Sequence, residues 1–239
     1  MRVRLLLSFV LTAFFASQGV AHAQEDPLKD FYRPWSDARS QFNLRKQASC
    51  TAEIYPAVVQ QMILEELDVP DIWELESGVF KPCAAGALFK DNRISMAQPV
   101  YNWVLAEKLI LMEGRPAALS NLTGVAPLDR EEIAQGIESL PEKAREVLAF
   151  RNELLRLDAI GECVARAATE ESYDLVFSKA NSPEEQERFA KLLPVIESCK
   201  NSSLLADPPV FFWRGPITVN LFRLGHALPV GVGVTEAAE

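Results

Sequence analysis

The apolar positions of this chain recur mainly three and four residues apart, the spacing that places them on one face of a helix. Pro141 and Glu142 can open one such helix, because proline is favoured at the first helical position. Its apolar stripe runs towards Cys163 and consists of Val147, Phe150, Leu154 and Leu157. The pattern therefore predicts a long helix packed on a core.

A second helix is predicted before Cys199. Ser182 can cap it, Pro183 fits its first position, and Glu185 completes a capping box. Its apolar stripe consists of Phe189, Leu192, Leu193 and Ile196. Cys199 follows this stripe by one turn and is well placed to bridge a neighbouring helix.

A third helix is predicted from a cap at Ser95 to about Met112, where Gly114 provides a stop signal. The segment 210–222 allows two interpretations, a kinked helix or two short strands. It is rich in β-branched and aromatic residues, and Gly215-Pro216 interrupts it.

These elements predict an all-α fold of two similar helical halves packed against each other. The first half spans residues 24–114 and the second spans residues 128–228. Residues 115–127, with Gly, Pro, Ser and Asn and little periodicity, form the predicted linker. The last residues, 229–239, are expected to be mobile.

The beginning of the chain has the three parts of a secretory signal peptide. Arg2 and Arg4 precede an apolar run over residues 5–16, and Ala21-His22-Ala23 follows as a cleavage site. The alternative is a membrane anchor, but the run is shorter than the roughly 20 residues that a span needs. We therefore predict a signal peptide over residues 1–23, cleavage between Ala23 and Gln24, and a periplasmic or secreted protein without a membrane span.

Cleavage makes the chain more acidic. Its net charge is −9, and the loss of two arginines leaves 22 basic against 33 acidic residues, or −11. Binding to nucleic acid needs a surplus of Lys and Arg to neutralise phosphate, so we predict no nucleic-acid partner.

The four cysteines predict two disulfides, because an even count is typical of exported chains. Four cysteines allow three pairings. Cys163 follows Cys50 by 113 residues and Cys199 follows Cys83 by 116, with similar apolar clusters between them. This pattern indicates an internal duplication. The duplication favours Cys50–Cys83 and Cys163–Cys199, one disulfide in each half.

Most catalytic chemistries lack their residues in this sequence. After cleavage His226 is the only histidine, and its position near the C-terminus is typical of an exposed side chain. One histidine and widely spaced cysteines do not suit a zinc site. The nucleotide-binding and EF-hand motifs are missing from the sequence as well. We predict no metal site and no cofactor.

One stretch resembles the E-S-x-F-x-P motif of soluble lytic transglycosylases. It is Glu76-Ser77-Gly78-Val79-Phe80-Lys81-Pro82, followed by Gly86-Ala87-Leu88. The resemblance implies that Glu76 would be the general acid of a peptidoglycan-cleaving enzyme. The match has one extra residue between Ser77 and Phe80 and lacks the motif's continuation. The alternative for Glu76 is a solvated position on a helix before Cys83.

The second half resembles a group of exported alphaproteobacterial proteins that have no assigned activity. The shared feature is Cys163-Val164-Ala165-Arg166, with Cys199 some 35 residues later. The resemblance implies a tandem helical architecture and no particular reaction.

Together these features predict a non-catalytic binding or structural factor of the cell envelope. Its partner would be a protein or a cell-wall component, bound in a groove between the halves. The alternative is an enzyme that uses Glu76. Two aromatic clusters, Phe31-Tyr32 with Trp35 and Phe211-Phe212-Trp213, could line such a groove, but we predict that they belong to the core.

Overall fold

The computed structural model describes residues 37–65, 83, 94–116, 122–128, 142–200 and 208–227. These residues form seven α-helices and one 3-10 turn, Leu122–Gly124, and they contain no strand. The helices are α1 (Ala38–Ile54), α2 (Pro56–Leu64), α3 (Ile94–Glu113), α4 (Glu142–Ala167), α5 (Thr169–Phe177), α6 (Pro183–Cys199) and α7 (Val210–Ala227). The predicted all-α class is confirmed.

Both predicted disulfides are present. Cys50 of α1 pairs with Cys83, and Cys163 of α4 pairs with Cys199 at the end of α6. Each pair lies within one predicted half, so the pairing favoured by the repeat pattern is confirmed.

Helix α7 lies at the centre of the fold. Every side chain from Phe211 to Phe222 is buried, and the helix packs on α2, α3, α4 and α5. A helix that is apolar around its whole circumference is favourable only when neighbours surround it. The ambiguous segment is therefore one helix, because packing on all sides outweighs its β-branched composition.

Two glycines let α7 approach its neighbours closely. A Cβ atom on Gly161 of α4 would lie 2.6 Å from the backbone of Pro216, and one on Gly215 would overlap the ring of Trp103 in α3. Trp103 contacts the rings of Phe211 and Phe212 edge-on, at centroid distances of 6.4 and 5.6 Å. The cluster Phe211-Phe212-Trp213 is buried, as predicted.

The helix boundaries confirm some predictions and correct others. Ser182 caps α6 by accepting a hydrogen bond from the Glu185 amide, and Gly114 follows α3 with a φ of 82°. Helix α3 begins at Ile94, one residue before the predicted cap Ser95. Leu193 is misassigned, because it is 42% exposed on α6 while Leu192 and Ile196 are buried.

Candidate functional site

Arg214 of α7 is a deeply buried charge where helices of the two predicted halves meet. The residue is 1% exposed and is the only charged residue between Val210 and Phe222. Burial of a guanidinium group destabilises the fold unless hydrogen-bond acceptors and opposite charges surround the group. The groups around Arg214 therefore form the candidate site of this fold.

The guanidinium of Arg214 caps the C-terminus of α5. Nη1 donates to the Leu175 carbonyl at 2.8 Å, and Nη2 donates to the Val176 carbonyl at 2.8 Å. The carbonyl and hydroxyl oxygens of Ser178, at 3.1 and 3.2 Å, complete this set. The last carbonyls of a helix have no partner inside it and carry partial negative charge, so a cation is well placed there.

Two buried carboxylates hold the same guanidinium. Glu107 of α3 accepts from Nη2 at 2.9 Å, and Glu185 of α6 accepts from Nη1 at 3.1 Å. Arg45 of α1 binds the second oxygen of Glu107 at 3.2 Å and lies over the ring of Phe211. Positive and negative groups alternate along this series, so the four charges sum to zero.

Two amide side chains close the series into a ring. Arg45 Nη1 donates to Gln41 Oε1 at 3.3 Å, and Asn181 Nδ2 donates to the same oxygen at 3.0 Å. The backbone N–H of Asn181 in turn donates to Glu185 Oε2 at 2.7 Å. We call this set the Arg214 ring; its members are Gln41, Arg45, Glu107, Arg214, Glu185 and Asn181.

The Arg214 ring joins the two predicted halves. Gln41, Arg45 and Glu107 come from the first half, and Asn181, Glu185 and Arg214 come from the second. Asn181 has a φ of 58°, in the left-handed region that asparagine tolerates better than most residues. Where α1, α3, α6 and α7 meet, the interface is therefore filled by side chains that bind one another.

A second arginine fixes the second part of the predicted linker. Arg166, in the Cys163-Val164-Ala165-Arg166 motif, donates to the carbonyls of Leu122, Val125 and Ala126 at 2.7 Å each. Its guanidinium also binds Glu162, one turn earlier on α4, at 2.6 Å. The arginine of the motif therefore holds residues 122–128 against α4.

His226 lies near the end of α7, at the surface as predicted. Its Nδ1 is 2.8 Å from the Phe222 carbonyl, which can only accept, so Nδ1 carries a hydrogen. Its Nε2 is 3.3 Å from Glu113 on α3. These contacts join the ends of α3 and α7.

Tyr101 of α3 makes a buried bond between hydroxyl groups. Its Oη is 2.9 Å from Thr51 Oγ1 on α1. Burial raises the pKa of the Tyr101 phenol to about 12, and the Thr51 hydroxyl partly opposes this shift. The tyrosine is thus a neutral contact between α1 and α3 at ordinary pH.

Several predicted positions lie outside the described residues. They are Glu76, the cleavage site at Ala23 and Gln24, the cluster Phe31-Tyr32 with Trp35, and the tail 229–239. Within the described ranges, no three His, Cys, Asp or Glu side chains are grouped to hold a metal ion. None of the helices seen in those ranges is long and apolar enough to cross a bilayer.

No local sequence pattern indicates the Arg214 ring. The position of Glu185 predicts only a capping acid, and Glu107 belongs to no motif. One signal was present, because Arg214 is the sole charge between Val210 and Phe222 and a charge within an apolar segment needs a partner. Its partners are 29 and 107 residues away, so no local pattern could name them.

Comparison with known proteins gives no further assignment, since no family model, curated protein or solved structure matches this chain.

Proposed function

We propose that the protein is an exported, non-catalytic helical factor that binds a protein or cell-wall component of the envelope. The observation that carries this proposal is the Arg214 ring. Its two buried carboxylates, Glu107 and Glu185, are each bound to arginine and serve to join helices. Two disulfides, typical of an oxidising compartment, attach α1 to Cys83 and α4 to the end of α6. A scaffold that is cross-linked in this way can hold a binding surface in a fixed shape for a partner.

The proposal includes a duplication of one helical unit. Cys50 and Cys163 each lie four residues before the end of a helix, at Ile54 and Ala167. One non-helical residue and a nine-residue helix follow in both cases, α2 in the first half and α5 in the second. Helix α3 begins eleven residues after Cys83, and α7 begins eleven residues after Cys199.

The contacts between the halves support the same proposal. Helices α3 and α7, which are counterparts, pack on each other. Helix α2 contacts α7, and its counterpart α5 contacts α3. Such reciprocal contacts are the signature of a two-fold-related pair, in which each member offers the same surface to the other. We therefore propose that the chain is a fused pair of related units.

A cross-linking experiment tests the binding role. Phe42 of α1 is the most exposed large apolar side chain of the described residues, at 65%, and exposed apolar surface is favoured at interfaces. A photo-reactive amino acid at position 42 is expected to give a discrete adduct in intact cells. The matched control carries it at Lys191, an exposed polar position on α6. The captured molecule, once purified, should bind the wild-type protein and bind Phe42→Asp at least about tenfold more weakly.

If the proteins labelled at positions 42 and 191 form the same set of cross-linked adducts, there is no specific partner at the surface around Phe42. The photo-reactive amino acid is then placed in turn at positions 54, 112 and 193, which are also exposed apolar sites. If these positions also give no specific adduct, the binding role is wrong. A purely structural role would then be the better proposal.

A peptidoglycan assay tests the alternative enzyme directly. We expect purified sacculi to release no soluble fragments when incubated with the oxidised protein, and we expect Glu76→Gln to behave identically. Release of fragments by the wild type that is lost in Glu76→Gln would overturn the non-catalytic proposal.

A further inference from the structure

Helix α6 packs on α4 and α5 along one face and is fixed further at each of its two ends. Of its 17 residues only Glu185, Leu192, Ile196 and Cys199 are buried. Glu185 fixes the first turn through the Arg214 ring. At the other end Cys199 is bonded to Cys163, and the ammonium of Lys200 lies 5.3 Å from the ring of Trp213.

The disulfide that fixes this second end has one cysteine exposed to solvent. Cys163 of α4 is exposed, whereas Cys199, the last residue of α6, is 4% exposed. The other disulfide is better covered, since Cys50 is half-buried and Cys83 is buried. Thiol–disulfide exchange requires access of a thiolate to a sulfur atom, so the two disulfides should differ in reactivity.

We propose that α6 is a redox-released strap, freed when a dithiol reduces Cys163–Cys199. A thiolate of the dithiol attacks Sγ of Cys163, forms a mixed disulfide, and expels the Cys199 thiolate, which takes up a proton. The second thiol of the dithiol then attacks the mixed disulfide and releases the Cys163 thiol. The dithiol is oxidised to its disulfide, and the protein gains two electrons and two protons.

Release is confined to the second part of α6. Glu185 remains bound to Arg214 after reduction, because that ion pair does not involve the disulfide. From Leu192 onward the buried side chains of Leu192 and Ile196, the half-buried Val195 and the Lys200 contact remain to oppose fraying. Movement of this part takes the Lys200 ammonium away from the ring of Trp213, which is buried in the oxidised protein. This inference concerns regulation of the scaffold and does not rest on the proposed function.

Stepwise reduction of the full-length protein tests the strap. Dithiothreitol is the dithiol, alkylation followed by peptide mass spectrometry reports which cysteines have opened, and hydrogen exchange reports local protection. We expect Cys163 and Cys199 to be alkylated before Cys50 and Cys83. Exchange of residues 192–200 should then accelerate at least about tenfold, while α3 and α7 keep their protection.

Two double variants provide the matched comparison. Cys163→Ser with Cys199→Ser should reproduce the faster exchange of residues 192–200 without a reductant. Cys50→Ser with Cys83→Ser should leave that segment as slow as in the wild type. Three results would overturn the strap: opening of Cys50–Cys83 first, unchanged exchange in α6 once Cys163–Cys199 is open, or loss of protection throughout the fold.

Discussion

Replacement of Gly215 by alanine tests the closest helix crossing in the fold. The added methyl group would lie 2.7 Å from Cγ of Trp103 and closer still to two other atoms of the ring. Ordinary van der Waals contact of a Cβ atom begins near 3.4 Å. The Trp103 ring is buried against Phe212, so it cannot rotate away without disturbing the core.

Two opposing effects set the size of the change. Alanine is favoured over glycine inside a helix by about 1 kcal/mol. Overpacking a core costs about 1–3 kcal/mol, and overlap with three ring atoms places this site at or above the top of that range. We therefore expect a net loss of about 2 kcal/mol in the free energy of unfolding. In a chain of this size that corresponds to a decrease of roughly 4–8 °C in Tm.

Gly225→Ala in the same helix is the matched control. The nearest atom to its added methyl is the Tyr173 hydroxyl at 3.9 Å, an ordinary contact. Only the helix-propensity gain remains, and the variant should be more stable than wild type by up to about 1 kcal/mol. Urea denaturation of the oxidised proteins measures both changes. Equal stability of Gly215→Ala and wild type, or shifts in the same direction for both variants, would refute the close crossing.

Three further changes probe the polar contacts. Arg214→Lys should lower the free energy of unfolding by about 2–4 kcal/mol, because a lysine has three donors for the six contacts that this guanidinium makes. A urea midpoint no lower than that of the wild type would contradict this prediction. The raised pKa of Tyr101, about 12 against an ordinary 10, means that the folded state holds the phenolic proton more tightly. Stability should therefore be retained below pH 10 and fall by up to about 3 kcal/mol as the pH rises from 10 to 12. Tyr101→Phe should remove most of this loss of stability. If the stability of the variant and of the wild type changes identically between pH 10 and 12, Tyr101 is not its source. Arg166→Ala should accelerate hydrogen exchange in residues 122–128 and cost about 1–3 kcal/mol, whereas unchanged exchange there would show that other contacts hold the segment.

Local signals predicted the features that depend on neighbours in sequence. The start of α6 follows from Ser182 and Pro183, since a cap acts within one turn. The disulfide pairing followed from the recurrence of cysteines at nearly constant separation. In contrast, propensity at α7 left a kinked helix and two short strands both open, and burial on every side made it a helix.

The Arg214 ring could not be predicted because its bonds depend on how whole helices pack. Glu107 follows no cap or motif, and its partner is 107 residues further along the chain. Gly215 is a similar case. A glycine before a proline suggests an interruption, yet here it permits the Trp103 ring to lie against the backbone of an unbroken helix.

The position of α7 has a consequence for the order of folding. It is the last described helix along the chain, yet α2, α3, α4 and α5 all pack on it. During synthesis the earlier helices therefore lack the surface that buries their apolar faces, and contacts of such long sequence separation form slowly. The incomplete chain should stay loosely folded until residues 210–227 emerge, and the proposed export would have to take place before the core closes.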